Sequence, residues 1–293
     1  AMILLNVRTG QLIHTFKCLD GVATTSRSSK EKVEISCLEA APALDTIAVG
    51  TSKGTVHLVN TRLDVLLFSL RHTSKNGRAT RITSMSFRTD GAAMHYGIAP
   101  LAVGRSDGTI SIWDLTPPED DIEVGEVVQG GRTLLCEMER AHYPGGVHKL
   151  QYMPQEPLLL STGTQSNSIV MHIFDNPDHS GRILKQRKGH TSPPSCIRYL
   201  HPGAGAGGGI LANAADGTDA AACAILSSGS QDRTLRVFST VRSVLDKEYS
   251  QGKGLEKRAR ELGMSDKAEL LLPPVTAMAS SEARSRDWGD LVT

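Results

Sequence analysis

Residues 101–115 read LAVGRSDGTISIWDL, and this stretch decides the fold. It joins a short small-residue strand to a β-branched strand through Ser106-Asp107-Gly108-Thr109. Asp ahead of a residue that tolerates a tight bend is hairpin chemistry. Just upstream, ITSMSF (82–87) is a further apolar run. Together they make one unit: an apolar run, a small-residue strand ending in a turn, and a β-branched strand ending in a polar residue.

The unit recurs along the chain. A second copy is VEISCL (33–38) with TIAVGTSKGTVHLVN (46–60), and a third is VHKLQYM (147–153) with LLLSTGTQSNSIVMHIFD (158–175). A fourth is SCIRYL (195–200) with AILSSGSQDRTLRVFS (224–239), while ILLNVRTGQLIHTF at the start matches the end of another. Repetition at a fixed period is the signature of an array of supersecondary units. Each unit buries both faces against its neighbours, and a ring of them hides its edges.

Trp113-Asp114 is the dipeptide for which the WD-repeat family is named, and the sequence resembles that family. Equivalent slots are read at Leu5-Asn6, Val59-Asn60, Phe174-Asp175 and Phe238-Ser239, with gaps of 54, 54, 61 and 64 residues. Standard repeats run about 40–45 residues, so long loops are expected here. Gly189-His190 and the variant Ala141-His142 supply the family's other signal. The expected fold class is all-β: a WD-repeat β-propeller with about four complete four-stranded blades plus partial blades at both ends.

The expected organisation has three parts. Residues 1–249 form blades, interrupted by a disordered Gly/Ala-rich loop at 202–222 whose composition cannot bury enough apolar surface to fold. Residues 250–272 form a helical connector with Leu255, Ala259 and Leu262 on one side, and Ser265 with Glu269 suits the cap of a second short turn. Residues 273–293 begin a following blade or a second propeller. A chain that starts in mid-pattern is expected to be a piece of something longer.

Composition narrows the function classes. Lys and Arg total 32 against 31 Asp and Glu, so the net charge of +1 neither demands nor excludes nucleic acid. Cys18, Cys37, Cys136, Cys196 and Cys223 form no CxxC pair, which predicts a reducing compartment. No apolar run is long enough to span a membrane, and AMILLNVRTG lacks the features of a signal peptide.

Three segments carry a closer resemblance: RKGHTSPPSCIRYL with ILSSGSQDRTLRVFSTV, the connector opening YSQGKG, and LPPVTAMASSEARSRDWGDLVT. They resemble the tandem WD-repeat family of U3 small nucleolar RNA-associated subunits of the small-subunit processome, most closely over roughly 185–293. The resemblance implies two consecutive propellers. It implies as partners other WD-repeat processome subunits and the U3 small nucleolar ribonucleoprotein. It also implies a nucleolar scaffolding role in pre-rRNA processing and 18S rRNA maturation. The blades alone fit equally a WD-repeat adaptor of another pathway, such as ubiquitin ligation or trafficking.

The residue-level expectations are mostly structural. In the WD-repeat family the His of Gly-His, the turn Asp and the aromatic slot residue share a hydrogen-bond network. That resemblance groups His190, Asp232 and Phe238, and a degraded set of His142, Asn167 and Phe174. Asp107 and Trp113 lack an obvious His partner. His190 and Asp232 with a nearby Ser could suggest a hydrolase, but a triad needs an oxyanion hole and a concave site. His and Cys spacing gives no metal motif, and GAGAGGG (203–209) lacks the Lys-Ser/Thr ending of a phosphate loop. No enzyme activity, cofactor, metal or small-molecule substrate is therefore expected. Charge is more informative. Arg71, Lys75, Arg78, Arg81 and Arg88 form one basic run, and Arg182, Lys185, Arg187, Lys188 and Arg198 another. Both runs are read as connections between blades, forming one face expected to meet RNA phosphate, through backbone-type contacts, or an acidic peptide of a partner. Ordinary solvated loops are the plainer alternative.

Overall fold

The computed structural model describes residues 2–17, 33–71, 80–91, 99–116, 132–176, 180–200, 224–229, 232–239, 246–249, 251–263, 267–280 and 291–292. The expected loop at 202–222, Ser265, Lys75 and Arg78 lie outside the described residues. Strands β1 (Met2–Leu5) and β2 (Leu12–Phe16) form a two-stranded pair. Blade 1 comprises β3 (Ile35–Ala40), β4 (Thr46–Thr51), β5 (Thr55–Asn60) and β6 (Val65–Arg71). Blade 2 comprises β7 (Ile82–Phe87), β8 (Leu101–Arg105), β9 (Ile110–Trp113) and β10 (Leu134–Met138). Blade 3 comprises β11 (Val147–Tyr152), β12 (Leu158–Gly163), β13 (Ser168–Ile173) and β14 (Arg182–Lys188). Blade 4 comprises β15 (Pro194–Leu200), β16 (Ala224–Gly229), β17 (Leu235–Ser239) and β18 (Lys247–Tyr249). Helix α1 (Gly252–Leu262) and the pair β19 (Ala279–Ser280) and β20 (Leu291–Val292) complete the described elements.

In every blade the strands pair in chain order. Every first strand also breaks register at the same place, between Ile35/Cys37, Ile82/Ser84, Val147/Lys149 and Pro194/Cys196. The packing divides the chain into two units, Ala1–Arg187 and Lys188–Thr293.

In the first unit, β8 shows why the sequence is apolar without alternation. Leu101 and Val103 join a core with Val56, Leu58 and Ile82 from blade 1 and its own first strand. Ala102, with Ile110 and Ile112 of β9, joins a core with Val147, Leu150 and Leu159 from blade 3. Both faces of blade 2 are therefore buried, as in a sheet covered on both sides. Each fully buried Val or Leu contributes about 1.5–3 kcal/mol. Gly104 permits the close approach, since a β-carbon there would stand 2.6 Å from Val147 Cγ1. A first strand lies at its sheet's edge, which leaves backbone groups to satisfy. Here the Leu150 and Tyr152 N–H groups each donate to a hydroxyl of β7, Ser84 and Ser86, at 2.9 Å. Met2 and Phe16 of the β1–β2 pair pack on Val49 and Val59.

The second unit holds blade 4 and the segment beyond it. Helix α1 buries Leu255 and Ala259 and stops at Gly263, whose left-handed φ of 64° lets its N–H bond back to Ala259 and Arg260. Leu262, expected on the buried side, is 61% exposed. It is the last helical residue, and the chain turns away at Gly263 before the apolar stripe continues. A 3-10 turn follows at Lys267–Leu270. Gln251 accepts from the Leu272 N–H at 2.9 Å and donates to the Arg233 carbonyl at 3.5 Å, tying the segment to the β16–β17 turn. Further on, Ser195 and Cys196 of β15 donate to the Val275 and Thr276 carbonyls at 2.9 and 3.2 Å.

Candidate functional site

Blade 4 brings His190, Asp232 and Phe238 together. His190 Nδ1–H donates to Asp232 Oδ2 at 3.0 Å, and the Thr191 N–H donates to the same oxygen at 3.0 Å. The Thr234 N–H donates to Asp232 Oδ1 at 3.3 Å. The Phe238 ring meets the His190 ring edge-on, with centroids 6.4 Å apart. Burial pushes the Asp232 carboxyl up, but the Thr234 and Thr191 amides and His190 outweigh it and hold the group below the usual carboxylate range. The Ser192 hydroxyl accepts from the Asp232 N–H at 3.4 Å, so it serves the turn. Asp232→Ala leaves two amides and an imidazole N–H without their acceptor, and it is expected to cost about 1–3 kcal/mol. Urea unfolding checks this: a midpoint equal to that of the parent chain would remove Asp232 from the blade's support.

Blade 3 has the same arrangement built from different residues, and register identifies them. Sheet pairing aligns Leu101↔Trp113, Ile225↔Phe238 and Leu159↔His172. The aromatic slot of blade 3 therefore holds His172, two residues before Phe174. The turns align likewise. The left-handed position is Gly54 in blade 1, Gly108 in blade 2, Asn167 in blade 3 and Arg233 in blade 4, with φ of 77°, 87°, 46° and 51°. Asn167 is thus the turn's hinge, and Ser166 occupies the place of Asp232. His142 is fully buried; its Nε2 lies 2.9 Å from Ser161 Oγ and its Nδ1 3.1 Å from Ser166 Oγ. His172 Nε2 lies 3.1 Å from the same Ser161 Oγ, which is 3.3 Å from the Val170 carbonyl. A carbonyl only accepts, so Ser161 donates to Val170 and both imidazoles donate Nε2–H to Ser161. His142 Nδ1 then accepts from Ser166. His172 Nδ1 is buried without a hydrogen-bond partner. Both rings are neutral: burial lowers the His142 pKa, and burial followed by the nearby His142 lowers that of His172 to about 4.

Phe174 is buried beyond the slot. It lies 5.8 Å from the Tyr152 ring, and the Arg88 guanidinium sits over it at 5.6 Å. Arg88 belongs to the first basic run by sequence, yet it is buried. It forks onto Asp90, with Nη2 to Oδ2 at 2.8 Å, and reaches the Phe174 carbonyl at 3.4 Å. A charge count along the chain cannot see that Arg88 is buried and paired with the acid two residues later.

In blade 2, Asp107 Oδ1 accepts from the Thr109 N–H at 3.0 Å, and Trp113 Nε1–H donates to Ser111 Oγ at 3.1 Å. Buried Arg105 reaches the same hydroxyl at 3.4 Å and lies 4.0 Å from Glu137. Blade 1 carries a chain that sequence reasoning missed. Thr51 Oγ1 meets Thr55 Oγ1 at 2.7 Å, Thr55 Oγ1 meets His57 Nε2 at 3.2 Å, and His57 Nδ1 meets Ser69 Oγ at 2.7 Å. Burial, then the charge of Arg71, lowers the His57 pKa to about 4. One local signal for blade 3 existed. Gly163 and Gly229 each open a Gly-x-Gln turn, and nine residues on stand His172 and Phe238. Among the described residues, no three His, Cys, Asp or Glu side chains are placed to hold a metal ion. Among them too, no helix is long and apolar enough to cross a membrane.

The two basic runs occupy different places. Arg71 ends β6, and Arg81 precedes β7, so these exposed residues do flank a connection between blades. The second run is an outer strand instead: Arg182, Lys185, Arg187 and Lys188 all belong to β14. Arg182 starts that strand and pairs with Asp175 at 2.6 Å, while Arg187 and Lys188 end it. Seven residues at about 3.3 Å each separate the ends by roughly 20 Å. Only Arg187 and Lys188 stand at the end from which the next connection leaves. The consecutive polar and basic residues Lys185–Lys188 made this strand read as a solvated connection.

With these blades in place, the family model for the WDR36/Utp21 first beta-propeller matches residues 1–175. The chain belongs to the WDR36/Utp21 propeller family. WD repeat-containing protein 36 of Homo sapiens is 31% identical over 287 residues, covering 98% of this chain and 26% of the relative. The U3 small nucleolar RNA-associated protein 21 homolog of Schizosaccharomyces pombe is 28% identical over 293 residues, 100% of this chain and 26% of the relative. U3 small nucleolar RNA-associated protein 21 of Saccharomyces cerevisiae is 28% identical over 301 residues, again 100% and 26%. The chain thus spans about a quarter of the length of these curated relatives. In this WDR36/Utp21 propeller the sheets of four antiparallel strands are the expected all-β WD-repeat fold. The polar networks described above lie inside its blades.

Proposed function

We propose that the chain is part of a non-catalytic WD-repeat scaffold of the small-subunit processome. It acts in the nucleolus in pre-rRNA processing and 18S rRNA maturation. Its partners are other WD-repeat processome subunits and the U3 small nucleolar ribonucleoprotein, with pre-rRNA backbone meeting the basic connections. The observation that carries this reading is membership of the WDR36/Utp21 family, together with relatives named for association with U3 small nucleolar RNA. On this reading residues 1–249 are propeller blades, 250–272 the connector, and 273–293 the start of a following blade or second propeller. His142, His172, His190, Asp232, Ser161 and Ser166 are used in blade support, which favours a scaffold over an enzyme, and the reading includes no cofactor, membrane or small-molecule substrate.

Affinity purification of the full chain from cells tests it. Recovery of U3 small nucleolar RNA with WD-repeat processome subunits is expected; ubiquitin-ligase or coat subunits in their place would overturn it. The RNA contact has its own test. Charge reversal at Arg81, Arg187 and Lys188 is expected to weaken single-stranded RNA binding about tenfold or more. Each cation withdrawn from a phosphate should also reduce the slope of log affinity against log salt by about 0.7. Unchanged affinity and slope would sink the basic face.

A further inference from the structure

The one Phe, Tyr or Trp within the basic runs, Phe87, is buried, but the fold brings an exposed tyrosine beside the first of them. Tyr143 stands in the connection from blade 2 to blade 3 and is 72% exposed. The Arg140 guanidinium lies over its ring at 5.6 Å. Arg140 itself holds a left-handed φ of 54°, a conformation that non-glycine residues rarely adopt.

The ring is presented by fixed backbone on both sides. His142, immediately before it, is buried in the Ser161 network. Gly146, just after it, donates its N–H to Thr164 Oγ1 at 2.9 Å and accepts from the Thr164 N–H at 2.8 Å. Gly146 also lies against the Ser106 backbone, and the Ser106 N–H donates to the Arg81 carbonyl at 2.9 Å. Tyr143 and exposed Arg81 therefore flank the same β8–β9 turn. Glu139 is an exposed acid in the same connection, and Asp107 is half-buried, capping its own turn.

We propose that Tyr143 is a stacking platform for an unpaired RNA base, with Arg140 on the ring and Arg81 on the adjoining phosphate. This deepens the proposed RNA contact and rests on it. Base–aromatic stacking tolerates any sequence and gains from a neighbouring Arg. A protein anchor, by contrast, is centred in a well-packed apolar pocket. Within 139–149 Tyr143 is the one exposed large apolar side chain, and its setting is cationic.

The test titrates the full chain with a fluorescein-labelled single-stranded oligoribonucleotide of mixed sequence, with 2-aminopurine at scanned positions. Tyr143→Ala is expected to lower affinity about tenfold, as removal of one stacked base does, with the salt slope unchanged and aminopurine quenching abolished. Tyr143→Phe should retain both, and an unchanged thermal midpoint shows that the exposed ring does not support the fold. Normal RNA binding by Tyr143→Ala while Arg81→Glu weakens it would overturn the platform and leave the RNA reading standing. Normal binding by both variants would overturn both. Normal RNA binding by Tyr143→Ala with loss of a WD-repeat subunit on purification would assign the ring to a protein interface and overturn the proposal.

Discussion

Lowering the pH from 7.5 to 5 decreases the unfolding free energy by about 4 kcal/mol, from two buried imidazoles at about 1.4 kcal/mol per pH unit each. His57 and His172 are held neutral by burial, each with a folded pKa of about 4 against an ordinary value of 6.5. The unfolded chain takes up protons below pH 6.5, and the folded chain does so only near 4. The unfolded state binds more protons throughout that window, so stability rises with pH from 4 to 6.5 and is level above it. Geometry explains the resistance. Protonated His172 would carry an Nδ1–H into a site where that atom is buried without a partner. His57 would become a cation beside Arg71, already enclosed by Thr55 and Ser69. Urea midpoints measured between pH 5 and 7.5 give the slope. His172→Asn and His57→Asn should each remove about 2 kcal/mol of it, with buried His142 adding to the slope in the same direction, and a flat profile in the parent chain would contradict the neutral assignment.

Gly108→Ala is expected to lower stability by about 3 kcal/mol, combining backbone strain with overpacking. Gly108 has φ of 87°, and a β-carbon there would stand 2.7 Å from the His142 carbonyl oxygen and 2.9 Å from that of Gly145. Both obstacles are backbone, held by the buried His142 side chain and by the His142 N–H bond to the Gly108 carbonyl. Neither can rotate aside as a flexible side chain would. Gly10 is the comparison, with a left-handed φ of 68° and nothing within 4 Å. Gly10→Ala should show strain alone, about 1 kcal/mol. Equal thermal shifts for the two variants would remove the crowding argument.

Much of the blade pattern was legible because its signals are local. Apolar runs of strand length, Asp or Gly at the turns, and recurrence along the chain predicted four four-stranded units and placed the first three strands of each, while β14, the outer strand of blade 3, read as a connection. The His190–Asp232 approach followed from the Gly-His signal. The site was less legible where a count along the chain stood in for pairing across the sheet. Phe174-Asp175 has the better wording for the slot in blade 3, yet β12 and β13 pair so that His172 fills it. Asn167 looks like the partner of His142, yet it supplies the left-handed turn while Ser166 takes the partner's position.

By itself the sequence determined the strand-turn unit, its repetition, the family and the positions of the basic residues. These depend on side-chain type and spacing over a dozen neighbours. Only the tertiary structure decided which of those residues work together. A shift of two residues in register keeps every side chain on its face, so local alternation cannot choose between His172 and Phe174. Likewise, whether Arg88 faces solvent or Asp90, and whether Tyr143 stands beside the connection at Arg81, depends on segments that only folding brings together.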